Sequence, residues 1–494
     1  MLQNQVFNPN QAMFGDSSAD AYQNLMQINK ALEAGQITGR ETTNLTTASG
    51  SPLKVESLEK TLKVITYKEE HIVLWKEFPK SDARNTVEEY NQLASYGQQR
   101  GGFYNEGELP IEEDSTYIRR AQLVKFMGVL KSVTHPMTLV DTAGIGSAIE
   151  RETINGTLHI LRNLNSKLTT GDADIIPQEF NGLYTQHYRG DGYLSLADYV
   201  NSDVVIDLRG AKLSEPNIQR AANAIINNFG YVGTLFAPPK VLSDFVEGFY
   251  GNKFIPVGGP NAIDGNVTMG QNVTAFASQF GKIQLKHDIF MNPAPAKALN
   301  AAATSVNAPA APTAGVAPAV VPVDALSKFG TTDVGNYFYA VSAINRFGES
   351  ALTSLSAVAT AIAAGNAVDL AFTETAGPNS TTGFRIYRSQ KNATTAATAT
   401  YYPIFDISLQ ERTSGYNGAT TGLVRDRNFF MTNCANAFLA QFDSEVLTFR
   451  QLAPLMKMDL AMISPAYRFM VLLYGTPMVY APKKIVRFIN IGLS

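Results

Sequence analysis

The longest amphipathic pattern in this chain is SAIERETINGTLHILRNLNSKL, which runs from Ser147 to Leu168. Its apolar residues recur at the spacing of a helix and form one stripe. The stripe consists of Ile149, Ile154, Leu158, Leu161, Leu164 and Leu168. Because charged residues occupy the other faces and Gly171 follows, the pattern predicts a helix that ends before this glycine. A helix of this length is about 30 Å long and can cross a whole domain.

The chain before this helix divides into an arm and a long loop. Residues 1–57 are rich in Gln, Asn, Ser, Thr and Gly and contain few large apolar residues, which predicts an N-terminal arm. From about residue 85 to about residue 135, strand-like sequence flanks a tip that is rich in Gly and Glu. This pattern predicts a two-stranded extended loop. We expect a neighbouring molecule to cover the loop, because an isolated hairpin is only marginally stable.

The extended loop contains the candidate contact residues of the chain. They are Phe103, Tyr104, Glu106, Glu112, Glu113, Arg119 and Arg120. The two aromatic residues lie in a Gly-rich tip, so we expect their side chains to be exposed. The acidic and basic residues would suit an ion-pair patch between subunits, although the simpler interpretation is a solvated tip without a function.

Alternating helices and strands predict an α/β lobe from about residue 195 to about residue 290. One helix of this lobe is expected to have Ser214 as its N-cap and Pro216 in its first turn. Its apolar stripe would consist of Ile218, Ala222, Ile225 and Phe229. Gly230 is expected to be the left-handed residue that ends this helix.

The second half of the chain begins with a change of composition. Residues 293–323 are rich in Ala and Pro and predict an extended linker, and residues 324–428 contain short alternating strands that predict an all-β sandwich. Tyr337–Asn345 resembles the penultimate strand of a fibronectin type III or immunoglobulin-like domain, and Gly383–Ser389 resembles its third strand. Because the penultimate type comes first, we hypothesise a circular permutation. It predicts that Tyr337–Asn345 pairs with both Ala351–Ile362 and the third-type strand.

The composition excludes several classes of protein. The 494 residues are 45% apolar, which is enough for two or three packed domains, and only 17% charged, with a net charge of −3. A single Cys rules out an intrachain disulfide framework and a multi-cysteine metal site. The five His form no metal-binding motif, and no catalytic constellation or basic patch is visible. The sequence therefore predicts no enzyme, no cofactor, no metal site and no nucleic-acid reader.

The sequence also predicts no membrane association. Its N-terminus lacks the basic and then apolar pattern of a secretory signal. The longest apolar stretch near the end, Tyr467–Tyr480, is interrupted by Arg468, Gly475 and Pro477. We therefore expect a soluble chain made in a reducing compartment.

The order of these elements is similar to that of the major capsid proteins of tailed bacteriophages. Residues 103–110 look like the tip of that family's extended loop. The helix from Ser147 to Leu168, followed by Gly171 and Asp172, resembles its spine helix. Residues 214–249 resemble its axial domain, and residues 469–491 resemble the last strands of its peripheral domain.

The resemblance implies an α+β fold with an inserted sandwich. Residues 58–292 would form a capsid core that residues 429–494 complete after the insertion. Within this core, the extended loop would lie at about 85–135, the spine helix at 147–168 and the axial domain at about 195–290. In the returning segment, Phe438–Met456 is interpreted as mixed helix and loop.

The resemblance also implies a function. The chain would be a structural protein that self-assembles into an icosahedral head shell around packaged double-stranded DNA. Its partners would be identical subunits in hexameric and pentameric capsomers, together with portal, scaffolding and decoration proteins, and its proximity to DNA would be non-specific. Assembly would take place in the host cytoplasm, and the inserted sandwich would face outwards from the virion. The alternatives are a phage tail or baseplate protein, or an adhesin with a fibronectin-like module.

Overall fold

The computed structural model describes residues 64–97, 103–109, 112–140, 146–190, 192–250, 273–299, 301–462 and 464–493. The predicted arm, residues 1–57, lies outside the described residues. The chain separates into one unit of residues 1–64 with 140–147 and another of residues 65–139 with 148–494. All helices and strands named below belong to the second unit.

The described residues contain eight α-helices. In chain order they are Leu74–Glu77 (α1), His135–Leu139 (α2), Ala148–Thr170 (α3), Leu183–Arg189 (α4), Leu196–Val200 (α5), Glu215–Asn227 (α6), Pro239–Tyr250 (α7) and Leu409–Ser414 (α8). Helix α3 is the predicted long helix, and it continues two residues beyond the predicted end at Leu168. Gly171 follows directly and donates its backbone N–H to the Lys167 carbonyl at 2.9 Å.

Twenty-four β-strands lie in the same residues. The first nine are Lys80–Asp82 (β1), Val87–Ser95 (β2), Thr116–Leu123 (β3), Lys125–Thr134 (β4), Val205–Asp207 (β5), Thr234–Ala237 (β6), Ala275–Ser278 (β7), Gly281–His287 (β8) and Lys297–Ala298 (β9). The next eleven are Thr313–Ala314 (β10), Ala319–Val321 (β11), Gly335–Tyr337 (β12), Tyr339–Asn345 (β13), Gly348–Glu349 (β14), Thr353–Ser354 (β15), Thr360–Ile362 (β16), Ala367–Thr373 (β17), Gly383–Ser389 (β18), Thr400–Ser408 (β19) and Leu423–Asp426 (β20). The last four are Cys434–Ala440 (β21), Leu447–Asp459 (β22), Ala466–Val479 (β23) and Ile485–Gly492 (β24).

Helix α3 packs on a four-stranded sheet with the order β1–β22–β23–β4. Leu164 and Leu168 of the helix are fully buried against this sheet. The predicted stripe is wrong at Ile154, whose side chain is 49% exposed. Gly156 occupies the face towards the sheet instead, where a Cβ atom would lie only 3.2 Å from Val471 Cγ2. The missing side chain therefore allows the helix to approach the sheet closely.

Strand β22 corrects the interpretation of Phe438–Met456 as mixed helix and loop. This 13-residue strand pairs with β23 through two register shifts, and β1 adds to its other edge in parallel. The first three residues of β22 are all buried, whereas the later ones alternate and then become exposed. A strand whose burial changes along its length has no uniform period of two, so the sequence pattern did not reveal it.

A second, six-stranded sheet has the order β5–β24–β21–β6–β8–β7. Strands β6, β7 and β8 precede residue 300, whereas β21 and β24 come from the end of the chain. Helices α6 and α7 pack on this sheet through buried residues such as Ile218, Ile225 and Phe245. The two distant parts of the sequence thus share one sheet and one hydrophobic core.

The end of helix α6 differs from the sequence prediction. The left-handed residue is Phe229, with φ 60°, and not Gly230. Because the helix ends at Asn227, Phe229 takes the position where helices often have glycine, and Gly230 donates its N–H to the Ile225 carbonyl at 2.9 Å. The Phe229 side chain is 89% exposed and does not belong to the apolar stripe. Ser214 does occupy the N-cap position, but its side chain makes no capping hydrogen bond.

Residues 297–426 form further sheets. Strand β13 lies between β18 on one side and β14 and β15 on the other, and the sheet continues from β18 through β19 to β9. Strand β17 pairs with β10, β11 and β20, while β12 pairs with β16. Side chains of β13, β17, β18, β19 and β20 share one hydrophobic core. Strands β9, β10 and β11 come from the predicted Ala/Pro linker, because its extended residues can pair at sheet edges.

Candidate inter-subunit contact site

The predicted extended loop contains an antiparallel hairpin of strands β2 and β3. Val87 pairs with Leu123 at one end and Leu93 pairs with Tyr117 near the other, followed by a register shift before Ser95. Both strands leave apolar side chains exposed, which is unusual for a hairpin in water. These side chains are Val87, Leu93, Tyr117, Ile118 and Leu123.

One edge of the hairpin is attached to the end of strand β23. The Tyr90 hydroxyl donates to the Val479 carbonyl at 3.0 Å, and the Tyr90 ring meets the Tyr480 ring edge-on at 4.8 Å. The Gln92 amide donates to the Tyr480 carbonyl at 2.5 Å. Burial raises the pKa of Tyr90 to about 12, so this hydroxyl remains a hydrogen-bond donor at neutral pH. These contacts fix the orientation of the hairpin relative to the end of strand β23.

The structure describes residues 103–109 of the tip. Phe103 is 99% exposed and Tyr104 is 60% exposed, as their polar surroundings predicted. A turn follows them, in which the Glu108 N–H donates to the Asn105 carbonyl at 3.0 Å. Glu106 lies in this turn and is also exposed. The tip therefore presents two aromatic side chains and a carboxylate to the outside.

The charged candidate residues are not brought together as one patch. Arg119 forms an ion pair with Glu89 on the facing strand, and Arg120 donates to the Gln92 side chain at 3.3 Å. Glu112 and Glu113 are exposed and lie before β3 begins. Within the described residues, neither arginine forms an ion pair with these two glutamates, because the cross-strand register places Glu89 and Gln92 closer.

A second exposed apolar surface lies on the four-stranded sheet and was not predicted from the sequence. Along β4, side chains alternate between the face that packs on α3 and the opposite face. Phe126 and Leu130 lie on the opposite face, and Met456 and Met458 of β22 are also exposed. The alternation within residues 125–134 is a signal that could have identified this surface.

Two kinds of feature, a metal-holding group and a membrane-spanning helix, are absent from the described residues. No group of three or more His, Cys, Asp or Glu in the described ranges is placed to hold a metal ion. In that same part of the chain, none of the helices has the length and apolar character to span a membrane. Burial raises the pKa of Cys434 to about 11, so its thiol stays protonated at neutral pH.

Comparison with known proteins assigns the chain to a class. The family model of the SU10 major capsid protein matches residues 36–309. The major capsid protein of Staphylococcus phage K is 24% identical over 460 residues, which are 92% of this chain and 93% of the relative. The major capsid protein of Staphylococcus phage S25-3 gives the same identity and coverage.

Solved structures show a more remote likeness. A chain of Gordonia phage Cozz has a TM-score of 0.41 and 9% identity, with 90% of this chain and 93% of that chain covered. An encapsulin complex from Synechococcus elongatus has a TM-score of 0.39 and 7% identity, with 89% and 94% covered. At this level of similarity, the two structures add nothing to the assignment.

The family match defines a structural protein of a tailed-phage head, with a mixed α+β fold. The chain belongs to the SU10 major capsid protein family, because more than half of its residues match the family model. It is a non-enzymatic component of the virion that assembles with identical subunits to form the head shell. The alternatives of a tail or baseplate protein and of an adhesin find no support in these matches.

Proposed function

We propose that hairpin β2–β3 and its tip form a contact between neighbouring subunits within hexameric and pentameric capsomers of an icosahedral shell around double-stranded DNA. The observation that carries this proposal is the exposure of Phe103 and Tyr104 at the end of a hairpin that already exposes five apolar side chains. Large exposed apolar surfaces commonly mark interaction sites in soluble proteins.

The receiving surface in this proposal is the exposed face of the four-stranded sheet in a second copy. Phe126, Leu130, Met456 and Met458 supply aromatic and flexible apolar side chains there. Methionine adapts its shape to an incoming aromatic ring, and contacts between sulfur and aromatic rings are favourable. Burying one aromatic side chain removes roughly 150–250 Å² from water, so the two tip residues would stabilise a contact by several kcal/mol before the entropy cost of association.

The charged candidate residues would contribute differently in this assembly. Arg119 and Arg120 would hold the hairpin strands in register through Glu89 and Gln92. Glu112 and Glu113 would face cations of the neighbouring subunit. Exposed ion pairs contribute little energy, so we assign them to the orientation of the contact and not to its strength.

Substitution of the tip tests the proposed contact. The double variant Phe103→Ser with Tyr104→Ser should lose closed shells in negative-stain microscopy, because the apolar anchor is removed while the hairpin attachment at Tyr90 is retained. The matched control is Leu194→Ser, which removes another fully exposed apolar side chain, 97% exposed, outside the hairpin. The control should assemble like the unmodified chain. Normal shells from the double variant would contradict the proposed contact.

The domain assignment also belongs to this proposal. Residues 324–428 would form a circularly permuted immunoglobulin-like or fibronectin-like sandwich, attached by residues 293–323 and inserted into a core of residues 58–292 and 429–494. The position of β13 between β15 and β18, and the pairing of β17 with β20, support this assignment. The sandwich would lie on the outer surface of the shell, where decoration proteins could bind. Portal and scaffolding proteins would contact the core.

Limited proteolysis of assembled shells tests the outward position of the sandwich. Cleavage sites within residues 324–428 should be as accessible in closed shells as in separated capsomers, whereas sites in hairpin β2–β3 should become protected. Protection of the sandwich on assembly would contradict its outward position.

A further inference from the structure

A cavity of about 290 Å³ lies between the sheet that contains β24 and the sheets formed by residues 297–426. Strand β24, helices α4 and α5, and strand β19 contribute to its wall. Its lining is rich in hydroxyl and guanidinium groups, which include Tyr188, Arg189, Tyr199, Arg385, Tyr416 and Arg487. Such a lining can bind a polar ligand.

Arg487 is an unusual residue for its position. It is the third residue of β24, in which the first seven residues are all buried, and it is only 7% exposed. Because side chains alternate along a strand, Arg487 lies on the same face as the buried Ile485 and Ile489. A cation has thus been placed in an apolar strand position.

The Arg487 guanidinium is poorly satisfied by its surroundings. It lies 3.9 Å from the centre of the Tyr184 ring and 5.7 Å from that of Phe430. Its only hydrogen bond among the described residues is a long one, 3.4 Å, to the Tyr199 hydroxyl. Its buried Nε–H has no hydrogen-bond acceptor in that part of the chain. Aromatic faces compensate part of the charge, but a buried guanidinium with unused donors is normally paired.

The carboxylates around the cavity are already paired with other arginines. Asp172 and Glu411 lie 3.4 Å and 3.9 Å from Arg189, and Asp406 lies 2.7 Å from Arg385. Arg487, by contrast, forms no ion pair within the described ranges of the chain. One positive charge in the cavity wall is therefore left without a counter-ion.

The hydroxyl groups beside Arg487 carry no negative charge that could serve as its counter-ion. Burial raises the pKa of Tyr199, as it does for Tyr184, whose pKa is about 12. Both hydroxyls therefore stay protonated at neutral pH. The His187 ring hydrogen-bonds to the Tyr199 hydroxyl at 2.8 Å and fixes its position beside Arg487. Because the neutral His187 ring donates from Nε2 to the Ile485 carbonyl at 2.8 Å, its Nδ1 accepts the Tyr199 hydroxyl proton. The donors available to an anion are therefore those of the Arg487 guanidinium.

We propose that Arg487 binds a small oxyanion in this cavity, either inorganic phosphate or a simple carboxylate. The planar guanidinium offers parallel N–H donors that match two oxygen atoms of such an anion. A bound oxyanion would supply the missing counter-charge and would connect the two sets of sheets that line the cavity. This inference does not depend on the proposed contact of the hairpin tip.

Calorimetric titration of the purified full-length chain tests the site. Inorganic phosphate and, in a separate arm, acetate are added at pH 7 and constant ionic strength. Saturable binding of either anion with a dissociation constant of about 1 mM or tighter is expected. Arg487→Gln should weaken this binding by at least about tenfold, whereas Arg487→Lys should weaken it less. The matched control Arg468→Gln removes the same charge from a residue that does not line the cavity, and its affinity should be unchanged.

Two results would overturn the proposal. The first is the absence of saturable binding of both anions to the unmodified chain, a measurement that does not require any variant to fold. The second is equal anion affinity of the Arg487→Gln variant and the unmodified chain. As an independent readout, the bound anion should raise the midpoint of thermal unfolding of the unmodified chain but not that of Arg487→Gln.

Discussion

Replacement of Arg209 by alanine should loosen the contact between the end of strand β5 and two segments of residues 324–428. Arg209 follows strand β5 and donates from Nη1 to the Asn428 carbonyl at 2.8 Å. Its Nη2 donates to the Lys328 carbonyl at 2.5 Å and to the Asp333 carboxylate at 2.6 Å. The three acceptors belong to residues 328–333 and to Asn428, so a single side chain connects the end of strand β5 to two separate segments of the chain.

The expected loss in the free energy of unfolding follows from the burial of these partners. The Asp333 side chain is only 11% exposed, and after the substitution it retains two donors, the Gly330 N–H at 3.1 Å and the Asn428 amide at 3.0 Å. Two lost hydrogen bonds to carbonyls are worth about 1 kcal/mol each, and the lost charged bond is worth about 1.5–3 kcal/mol. Because Asp333 stays partly satisfied, we expect Arg209→Ala to lower the free energy of unfolding by about 3 kcal/mol.

Hydrogen–deuterium exchange of unassembled capsomers should locate this effect. Peptides that cover residues 326–336 and 424–432 should exchange faster in Arg209→Ala, and urea unfolding should give the energy. Arg209→Lys, which keeps the charge but cannot reach three acceptors, should lose a smaller part of the stability. The control Arg220→Ala, at an exposed position of α6, should stay within about 0.5 kcal/mol of the unmodified chain. Unchanged exchange and stability in Arg209→Ala would show that this side chain does not hold the two segments in place.

Three further predictions concern the stability of the folded chain. Leu164→Ala removes a fully buried side chain of α3 and should lower the free energy of unfolding by about 2–5 kcal/mol in urea titrations, and a loss below 1 kcal/mol would contradict its place in the core. Burial lowers the pKa of His187 to about 4, and its ring bonds to the Tyr199 hydroxyl and the Ile485 carbonyl. The neutral form of His187 is therefore favoured in the folded state. Its contribution to the free energy of unfolding is complete above pH 6.5 and decreases by about 3 kcal/mol in all as the pH falls towards 4. His187→Gln should show a smaller decrease in stability than the unmodified chain over this pH range, and parallel pH profiles would exclude the effect. Phe229→Gly should raise thermal stability by about 0.5–1 kcal/mol, because glycine adopts φ 60° without strain, and a lower unfolding midpoint would show that the exposed ring makes a stabilising contact.

Local patterns in the sequence predicted the elements that repeat regularly. The predicted end of helix α3 lies within two residues of the observed end, because the apolar stripe recurs at helical spacing along this 23-residue helix. The predicted stripe was wrong at Ile154, because the face of the helix towards the sheet is occupied by Gly156, which has no side chain and is not counted in an apolar pattern. Reasoning from such patterns also failed at β22, whose burial changes along the strand, and at Phe229, where the helix end shifts by one residue relative to glycine.

The contacts that connect distant parts of the chain could not be predicted from such patterns. Arg209 meets acceptors that are more than a hundred residues away, and nothing in its neighbours identifies them. The sequence identified Arg487 only as one residue of the predicted last strands. The absence of a counter-charge beside it depends on the folded structure and cannot be seen in the sequence. The exposed tip residues Phe103 and Tyr104 could be predicted, since their Gly-rich surroundings provide no local core.

A cryo-electron microscopy reconstruction of the particles formed by the purified chain tests most directly whether the chain forms shells through its hairpin tip. We expect closed icosahedral shells built from hexameric and pentameric capsomers, in which Phe103 and Tyr104 of each subunit contact a neighbouring copy. A monodisperse monomer under assembly conditions would contradict self-assembly, and shells in which both side chains are surrounded by solvent would contradict the proposed contact.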